Sequence, residues 1–239
     1  RSGIRRMCGT RLQEILAEDA EAAAFATESF VADMSRADVA LVPQLANEQH
    51  YEVPAEFFRL ALGPRRKYSS AWWPEGTRDL AQAEDLALAQ TCERAGLFDG
   101  QDVLELGCGW GSLTLWMAEQ YPGARITGVS NSASQRAHIE GECAKRGLKN
   151  VRILTCDMNV FAAEASRYDR VVSVEMFEHM KNWGELMRRI AGWLRPGGWL
   201  LTYCAKGVVK RAFREAGFTV VALPGPPGKR EMIRIISNP

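Results

Sequence analysis

The order of apolar patterns along the chain points to an α/β protein: a mostly parallel, seven-stranded sheet ending in an antiparallel hairpin, preceded by an N-terminal helical cap. Three observations carry this expectation. Residues 1–96 place apolar side chains at three- and four-residue steps; from residue 100 short apolar runs alternate with helical segments; and the last two apolar runs flank a Pro- and Gly-rich link. The expected division is a helical cap region over 1–96 and a ligand-binding sheet domain over 97–239.

In the cap, Leu12, Ile15 and Leu16, then Ala22–Phe30 with Val31 and Met34, follow helical spacing. Asp79–Arg94 is an Ala, Leu, Glu and Gln run of strong helix formers. Between them Tyr68-Ser-Ser-Ala-Trp72-Trp73-Pro74-Glu-Gly76 reads as irregular. Val103–Leu106 is the first strand and Ser112–Gln120 the helix after it. Ala124–Val129 and Ser134–Arg146 repeat the unit. Val151–Thr155, Arg170–Val174 and Trp199–Tyr203 supply three more strands, with a helix over Trp183–Leu194 stopped by Pro196-Gly197-Gly198. A helix over Val208–Ala216 leads to Phe218–Leu223 and Glu231–Ile236, joined through Pro224–Gly228 as a closing hairpin.

Composition narrows the class. The 239 residues are 46% hydrophobic and 25% charged, with 30 Lys and Arg against 29 Asp and Glu, a net charge of +1. Bulk disorder needs low hydrophobicity or high net charge, and both are missing. A chain-wide nucleic-acid binder carries a basic excess that this balance lacks. No window approaches the roughly 18 uninterrupted apolar residues of a bilayer span, so no integral membrane association is expected. The start, Arg1-Ser-Gly-Ile-Arg5-Arg6, has neither an initiator Met nor an apolar signal core and reads as a cropped chain. Six scattered cysteines (Cys8, Cys92, Cys108, Cys143, Cys156, Cys204) show no C-x-x-C pair and no His at metal spacing, which fits reduced thiols in a cytoplasmic protein and no metal site.

The chemistry begins at Leu104-Glu105-Leu-Gly107-Cys-Gly109-Trp-Gly111, which follows a strand and opens a helix. Glycines at such a turn let the backbone approach a nucleotide-like ligand, although a plain tight turn uses the same residues. A dinucleotide fingerprint would put its third glycine at Ser112 and an acidic residue near the end of the next strand, where Val129-Ser130-Asn131 stands. Both departures count against NAD.

Glu105–Gly111 resembles motif I of the class I S-adenosylmethionine (SAM) methyltransferases, a Rossmann-like fold. With Tyr68–Trp73, Ser130-Asn131-Ser-Ala-Ser-Gln135 and Ser173-Val-Glu175-Met-Phe-Glu178-His179, the run over about 45–200 is similar to the cyclopropane-fatty-acid-synthase-like superfamily, in its coclaurine N-methyltransferase branch. The resemblance implies SAM as cofactor. Tyr68 and Ser69 would close over its methionine end, Glu105, Gly107, Gly109 and Gly111 would form the floor, Ser130, Asn131 and Gln135 would take the ribose, and Asp157 with Met158 would frame the adenine. For Asp157 a helix N-cap, and for Tyr68 a core-edge aromatic, are the structural alternatives.

Glu175, Glu178 and His179 leave the fourth strand at the carboxyl edge, where open α/β sheets hold ligands. If Met176 onward is helical, the three share one face. Methyl transfer is an in-line displacement that needs a free lone pair on the acceptor. An alkyl ammonium of lysine-like pKa, about 10, costs about 4 kcal/mol to neutralise at pH 7. A carboxylate holds such a cation and an adjacent His accepts its proton. In the N-methyltransferase branch the matching Glu and His residues are assigned this work. Alternatively, Glu178 caps a helix and His179 packs under the Tyr68 loop. His50 and His138 read as structural or surface residues.

The resemblance also implies where the chain departs. Cyclopropane synthases hold a bicarbonate base with a Cys, a Glu and a His; here those positions are Ser70, Glu178 and Thr202, which argues against cyclopropanation. After Leu201 the family's helical insertion, which builds much of the acceptor pocket, is absent. Thr202–Glu231 instead resembles the tail of the tRNA methylaminomethyl-uridine methyltransferases. Around it Lys206, Lys210, Arg211, Arg214, Lys229, Arg230 and Arg234 stand against Glu215 and Glu231, a local charge of +5. Two methyltransferase patterns thus meet near residue 201, as in a short natural variant, a recombinant chimera or a designed sequence. The expectation is SAM-dependent N-methylation of a small or medium amine, with a tRNA-directed methyltransferase and a non-catalytic SAM-binding module as alternatives.

Overall fold

A computed structural model of the chain describes residues 2–15, 18–41, 55–202, 205, 207–225 and 231–238. Among the described residues four helices come first: α1 (Ser2–Glu14), α2 (Ala20–Arg36), α3 (Ala55–Ala61) and α4 (Leu80–Arg94). Then β1 (Asp102–Leu106), α5 (Ser112–Gln120), β2 (Arg125–Ser130), α6 (Ala133–Arg146), β3 (Val151–Thr155) and β4 (Tyr168–Val172) alternate. A one-turn 3-10 helix at Phe177–His179 precedes α7 (Trp183–Trp193), β5 (Leu194–Thr202), α8 (Gly207–Glu215), β6 (Thr219–Pro224) and β7 (Glu231–Ile236).

The seven strands form one mixed sheet in the order β3-β2-β1-β4-β5-β7-β6. The first five are parallel, and β7 pairs antiparallel with both β5 and β6. The expected architecture, including the antiparallel hairpin, is therefore the one observed. The strand order reverses direction between β1 and β4, the point at which open α/β sheets place a ligand beyond their carboxyl ends.

Period-two alternation divides the core between the two faces. Leu104, Leu106, Val129, Val171, Leu200, Ile233 and Ile235 pack with Leu186, Met187 and Ile190 of α7 and Val209 and Phe213 of α8. Val103, Ile126, Val172, Leu201 and Met232 pack with Leu88 and Cys92 of α4 and Leu113 and Met117 of α5. A smaller cluster joins Leu115 of α5 with Ile139 and Cys143 of α6 and Ile153 of β3. On this pleat Glu105 falls on the α4 and α5 side, in line with Val103.

The N-terminal helices attach differently. Neither α1 nor α2 has a buried residue. The end of α2 is fastened to the sheet domain: Asn182 Nδ2 donates to the carbonyls of Ser35 and Ala37, Lys181 N–H donates to Val39 O, and Asn159 exchanges two hydrogen bonds of 2.8 Å with the Ala40 backbone. By contrast α4, whose N-cap Asp79 carboxylate accepts from Gln82 N–H, shares the sheet's own core.

Within the sheet two strands depart from the expected bounds by more than one residue. The helix expected to end before Pro196 passes directly into β5, which runs through Pro196-Gly197-Gly198. The register to β4 shifts between Tyr168 and Arg170. A Cβ on Gly198 would meet the carbonyl oxygens of Arg195 (2.8 Å) and Tyr168 (2.9 Å). Proline is tolerated at such a bulge because the ladder is already interrupted there. At the other boundary β4 spans Tyr168–Val172 rather than 170–174, so the chain leaves the sheet before Glu175.

Among the described residues Cys8, Cys92, Cys108, Cys143 and Cys156 are free thiols, and no helix is long and apolar enough to cross a membrane. His50, Cys204, Lys206, Lys229 and Arg230 lie outside the described residues.

Candidate active site

A cleft of about 650 Å³, open mouth included, lies beyond the carboxyl ends of β1 and β4. Its floor is the turn from β1 into α5, its walls are α4, α5 and Val174–Glu175, and the segment Arg66–Ser69 crosses its edge.

The floor is shaped by glycine. Gly107 has φ +81° and Gly111, the N-cap of α5, has φ +82°, a left-handed region costly for other residues. Close packing adds a second requirement: a Cβ on Gly107 would lie 2.7 Å from Met176 Cβ, and one on Gly111 2.7 Å from Ile139 Cγ1. The turn is therefore held to glycine both by its backbone conformation and by the close approach of Met176 and Ile139.

Three polar atoms in the lining are buried and hydrogen-bond to none of the described residues: Trp110 Nε1, Ser112 Oγ and Gln135 Nε2. Burying such groups without partners is costly, and a ligand with several donors and acceptors resolves that cost. Ser112 also opens α5, whose N-terminus favours negative charge. Gln135 is set by Ser130, whose hydroxyl donates to Gln135 Oε1 at 2.6 Å. These features fit an amino-acid and nucleoside conjugate such as SAM.

Two carboxylates line the same space. Glu105 is 4% exposed; burial pushes its carboxyl up to about 7, opposed by the hydrogen bond donated by Thr114. A cation in the cleft would favour its ionised form. Glu175 is exposed at the cleft wall, with φ +56°. A non-glycine residue held there is strained, and such positions concentrate at functional sites.

That left-handed residue also explains why the expected helix is missing. Met176 sits against Gly107, and helical structure is confined to Phe177–His179. In a 3-10 turn neighbouring residues point about 120° apart. Glu175, Glu178 and His179 thus share no helical face: Glu175 lines the cleft, while Glu178 and His179 are exposed on the adjoining turn, outside its lining.

The other expected site residues divide similarly. Tyr68, Ser69, Glu105, Gly107, Gly109 and Gln135 line the cleft, with Gly111 directly beneath as the α5 cap. Ser130 stands one step behind Gln135, and Asn131 follows it half-buried. Asp157 accepts from Asn159 N–H at 2.8 Å and its carbonyl from Val160 and Phe161, so it organises a turn. Met158 is buried in the main core. Neither lines the cleft.

Sequence reasoning missed the framework around Arg65–Ser70. Glu84 of α4, 1% exposed, accepts the backbone N–H groups of Arg65 (2.9 Å) and Lys67 (3.3 Å). Arg65 reaches Asp85 (2.7 Å) and Glu119 (2.8 Å). The Arg66 guanidinium lies 2.7 Å from His138 Nε2; burial and that cation lower the imidazole to about 4. Phe58 of α3, 3% exposed, packs on Tyr68 and Trp110 at ring separations of 5.8 and 5.0 Å. Lys67 lines the cleft and donates to Ser69 Oγ and to the Ser70 carbonyl at 2.8 Å. In the sequence Arg65-Arg66-Lys67 reads as a solvated basic run, and only its adjacency to Tyr68 hinted otherwise.

The basic tail is partly committed within the fold. Lys210 pairs with Glu231, and Arg234 lies 4.0 Å over the Trp199 ring while donating to Arg94 O. Arg211 and Arg214 are exposed on α8.

Comparison with known proteins agrees with the fold. The chain is 41% identical over 162 residues to (S)-coclaurine N-methyltransferase of Thalictrum flavum subsp. glaucum, covering 68% of this chain and 45% of that enzyme. It is 34% identical over 161 residues to the cyclopropane-fatty-acyl-phospholipid synthase of Escherichia coli K12, covering 66% and 40%. The chain thus spans less than half the length of these curated relatives. A crystal structure of coclaurine N-methyltransferase bound to N-methylheliamine and SAH superposes with a TM-score of 0.74 at 36% identity, over 84% of this chain and 57% of that one. The family described as mycolic acid cyclopropane synthetase matches residues 43–230, and the chain belongs to it.

Proposed function

We propose that this chain binds SAM in the cleft and methylates the nitrogen of a small or medium amine. The observation that carries the reading is the convergence of a glycine-lined floor, three unpartnered buried polar atoms and two carboxylates on one cleft. Similarity to (S)-coclaurine N-methyltransferase supports the amine as acceptor. The fold division follows the same lines, with residues 1–96 as cap and 97–239 as SAM domain, α4 packing beneath the sheet.

Gly107, Gly109 and Gly111 give the backbone access, Gln135 and Ser130 address the ribose with Asn131 beside them, and Tyr68 and Ser69 close the methionine end; the adenine contact expected of Asp157 and Met158 is not carried over, since neither lines the cleft. When bound, SAM supplies an electrophilic methyl on a sulfonium. Glu105 offers the buried negative charge that a cationic ligand stabilises. Glu175 holds the acceptor cation at the cleft wall. Glu178 and His179, on the solvent side of the same turn, hold the incoming ammonium and accept its proton.

A tRNA-directed reading draws on exposed Arg211 and Arg214. It is weaker, because Lys210 and Arg234 already have partners within the fold.

The test is labelled-methyl transfer from SAM across a panel of amines, with lipids and tRNA as controls. Glu178→Gln and His179→Ala should each lower amine turnover by about tenfold or more while SAM binding persists. Unchanged turnover in both variants would sink the amine mechanism.

A further inference from the structure

Lys67 lines the cleft, and the reaction above gives it no role. It sits between carboxylates on two elements: Glu84 of α4, whose oxygens accept the Arg65 and Lys67 backbone N–H groups, and Glu175 after β4. Across the cleft stands Glu105 of β1, and beside it in the chain is Arg66, turned toward His138. Its ammonium donates to two neutral acceptors, Ser69 Oγ and the Ser70 carbonyl. Any cationic ligand lining up with Glu105 and Glu175 shares this poorly hydrated space with the Lys67 ammonium.

We propose that Lys67 makes the cleft respond to the charge of its ligand: protonated beside the neutral thioether of SAH, it releases its proton to solvent when the sulfonium of SAM enters. This rests on the cleft being the SAM site. The balance is simple, since Lys67–NH3+ becomes Lys67–NH2 and one proton passes to the buffer. Two like charges in a cleft of low dielectric repel far more than in water. The Lys67 proton is already loosely held: burial lowers its pKa to about 8, with Glu175 and then Glu84 working the other way. A nearby sulfonium lowers it further, so exchanging SAH for SAM expels a proton and the reverse exchange takes one up. The preference for SAM over SAH therefore rises with pH below about 8.

Titration calorimetry of SAM and of SAH in two buffers of different ionisation enthalpy counts the protons. At pH 8 Glu105 is already mostly ionised, so it contributes little. SAM should then release about half a proton more than SAH, and Lys67→Met should abolish most of that difference. Lys67→Arg, which keeps a charge that cannot be shed, should bind SAM more weakly relative to SAH than the parent does, again without proton release. A merely structural lysine would shift both ligands alike. Equal proton release for SAM and SAH in the parent chain, or a difference that survives Lys67→Met, overturns the inference while leaving the SAM site standing. No binding of SAM at all would overturn both.

Discussion

Glu105→Gln should make the protein more stable at alkaline pH and worse at binding SAM. The side chain is 4% exposed, and burial raises its carboxyl pKa from 4.5 to about 7. Because the folded pKa lies above the unfolded one, the folded state holds the proton more tightly between those two values. Stability from this group is therefore fully present below about 4.5 and is lost as pH rises to about 7. A shift of this size corresponds to about 3 kcal/mol, at 1.36 kcal/mol per unit. Glutamine keeps the shape and an acceptor for the Thr114 hydroxyl but cannot ionise. Urea unfolding at pH 4 and pH 8 should show nearly equal stabilities at the lower pH and an advantage for the variant at the higher one, approaching about 3 kcal/mol. His138, lowered to about 4, has the opposite sign: it destabilises as pH falls from about 6.5 toward 4. It is common to both proteins and cancels in the difference. A variant no more stable than the parent at pH 8 would refute the claim that Glu105 is an ionised, buried carboxylate there. SAM affinity should fall in the same variant, since stability would have been gained by removing the charge that faces the cation.

Two further predictions test the framework. Phe58→Ala removes the side chain that joins α3 to Tyr68 and Trp110; the loss should be about 3 kcal/mol, the low end for Phe truncation, and local, since Phe57 and Leu60 on the same helix are already exposed. Hydrogen exchange should accelerate over 55–61 and leave β1 unchanged, and equal acceleration in both would contradict it. Gly198→Ala drives a Cβ against two backbone carbonyls in the β5 bulge, so thermal unfolding should show destabilisation of about 2 kcal/mol or more; an unaffected melting temperature would mean that the bulge is not as tight as described.

The sheet was readable because β1 and β2 are short apolar runs each followed by a helical segment, and because Gly107–Gly111 marks the turn where a helix must begin. What the sequence hid were features set by tertiary contact. Pro196-Gly197-Gly198 has the local signature of a stop, yet the register shift against β4 lets the strand pass through it. Met176–His179 has the composition of a helix, but the left-handed Glu175 and the packing of Met176 on Gly107 leave only a 3-10 turn. Lys67 and Glu84 were invisible for another reason: one ends a basic run and the other lies in a polar helical stretch, and only the folded chain shows Glu84 buried beneath the Arg65–Lys67 backbone and Lys67 lining the cleft.

SAM titration by calorimetry on the parent chain and on Gly107→Ala decides whether this cleft is the cofactor site. The parent should bind one SAM per chain, and the variant, strained at φ +81° and crowded by Met176, should lose at least tenfold in affinity while its far-ultraviolet circular dichroism stays that of a folded α/β protein. An absence of heat in the parent, or an unchanged affinity in the folded variant, would contradict the account.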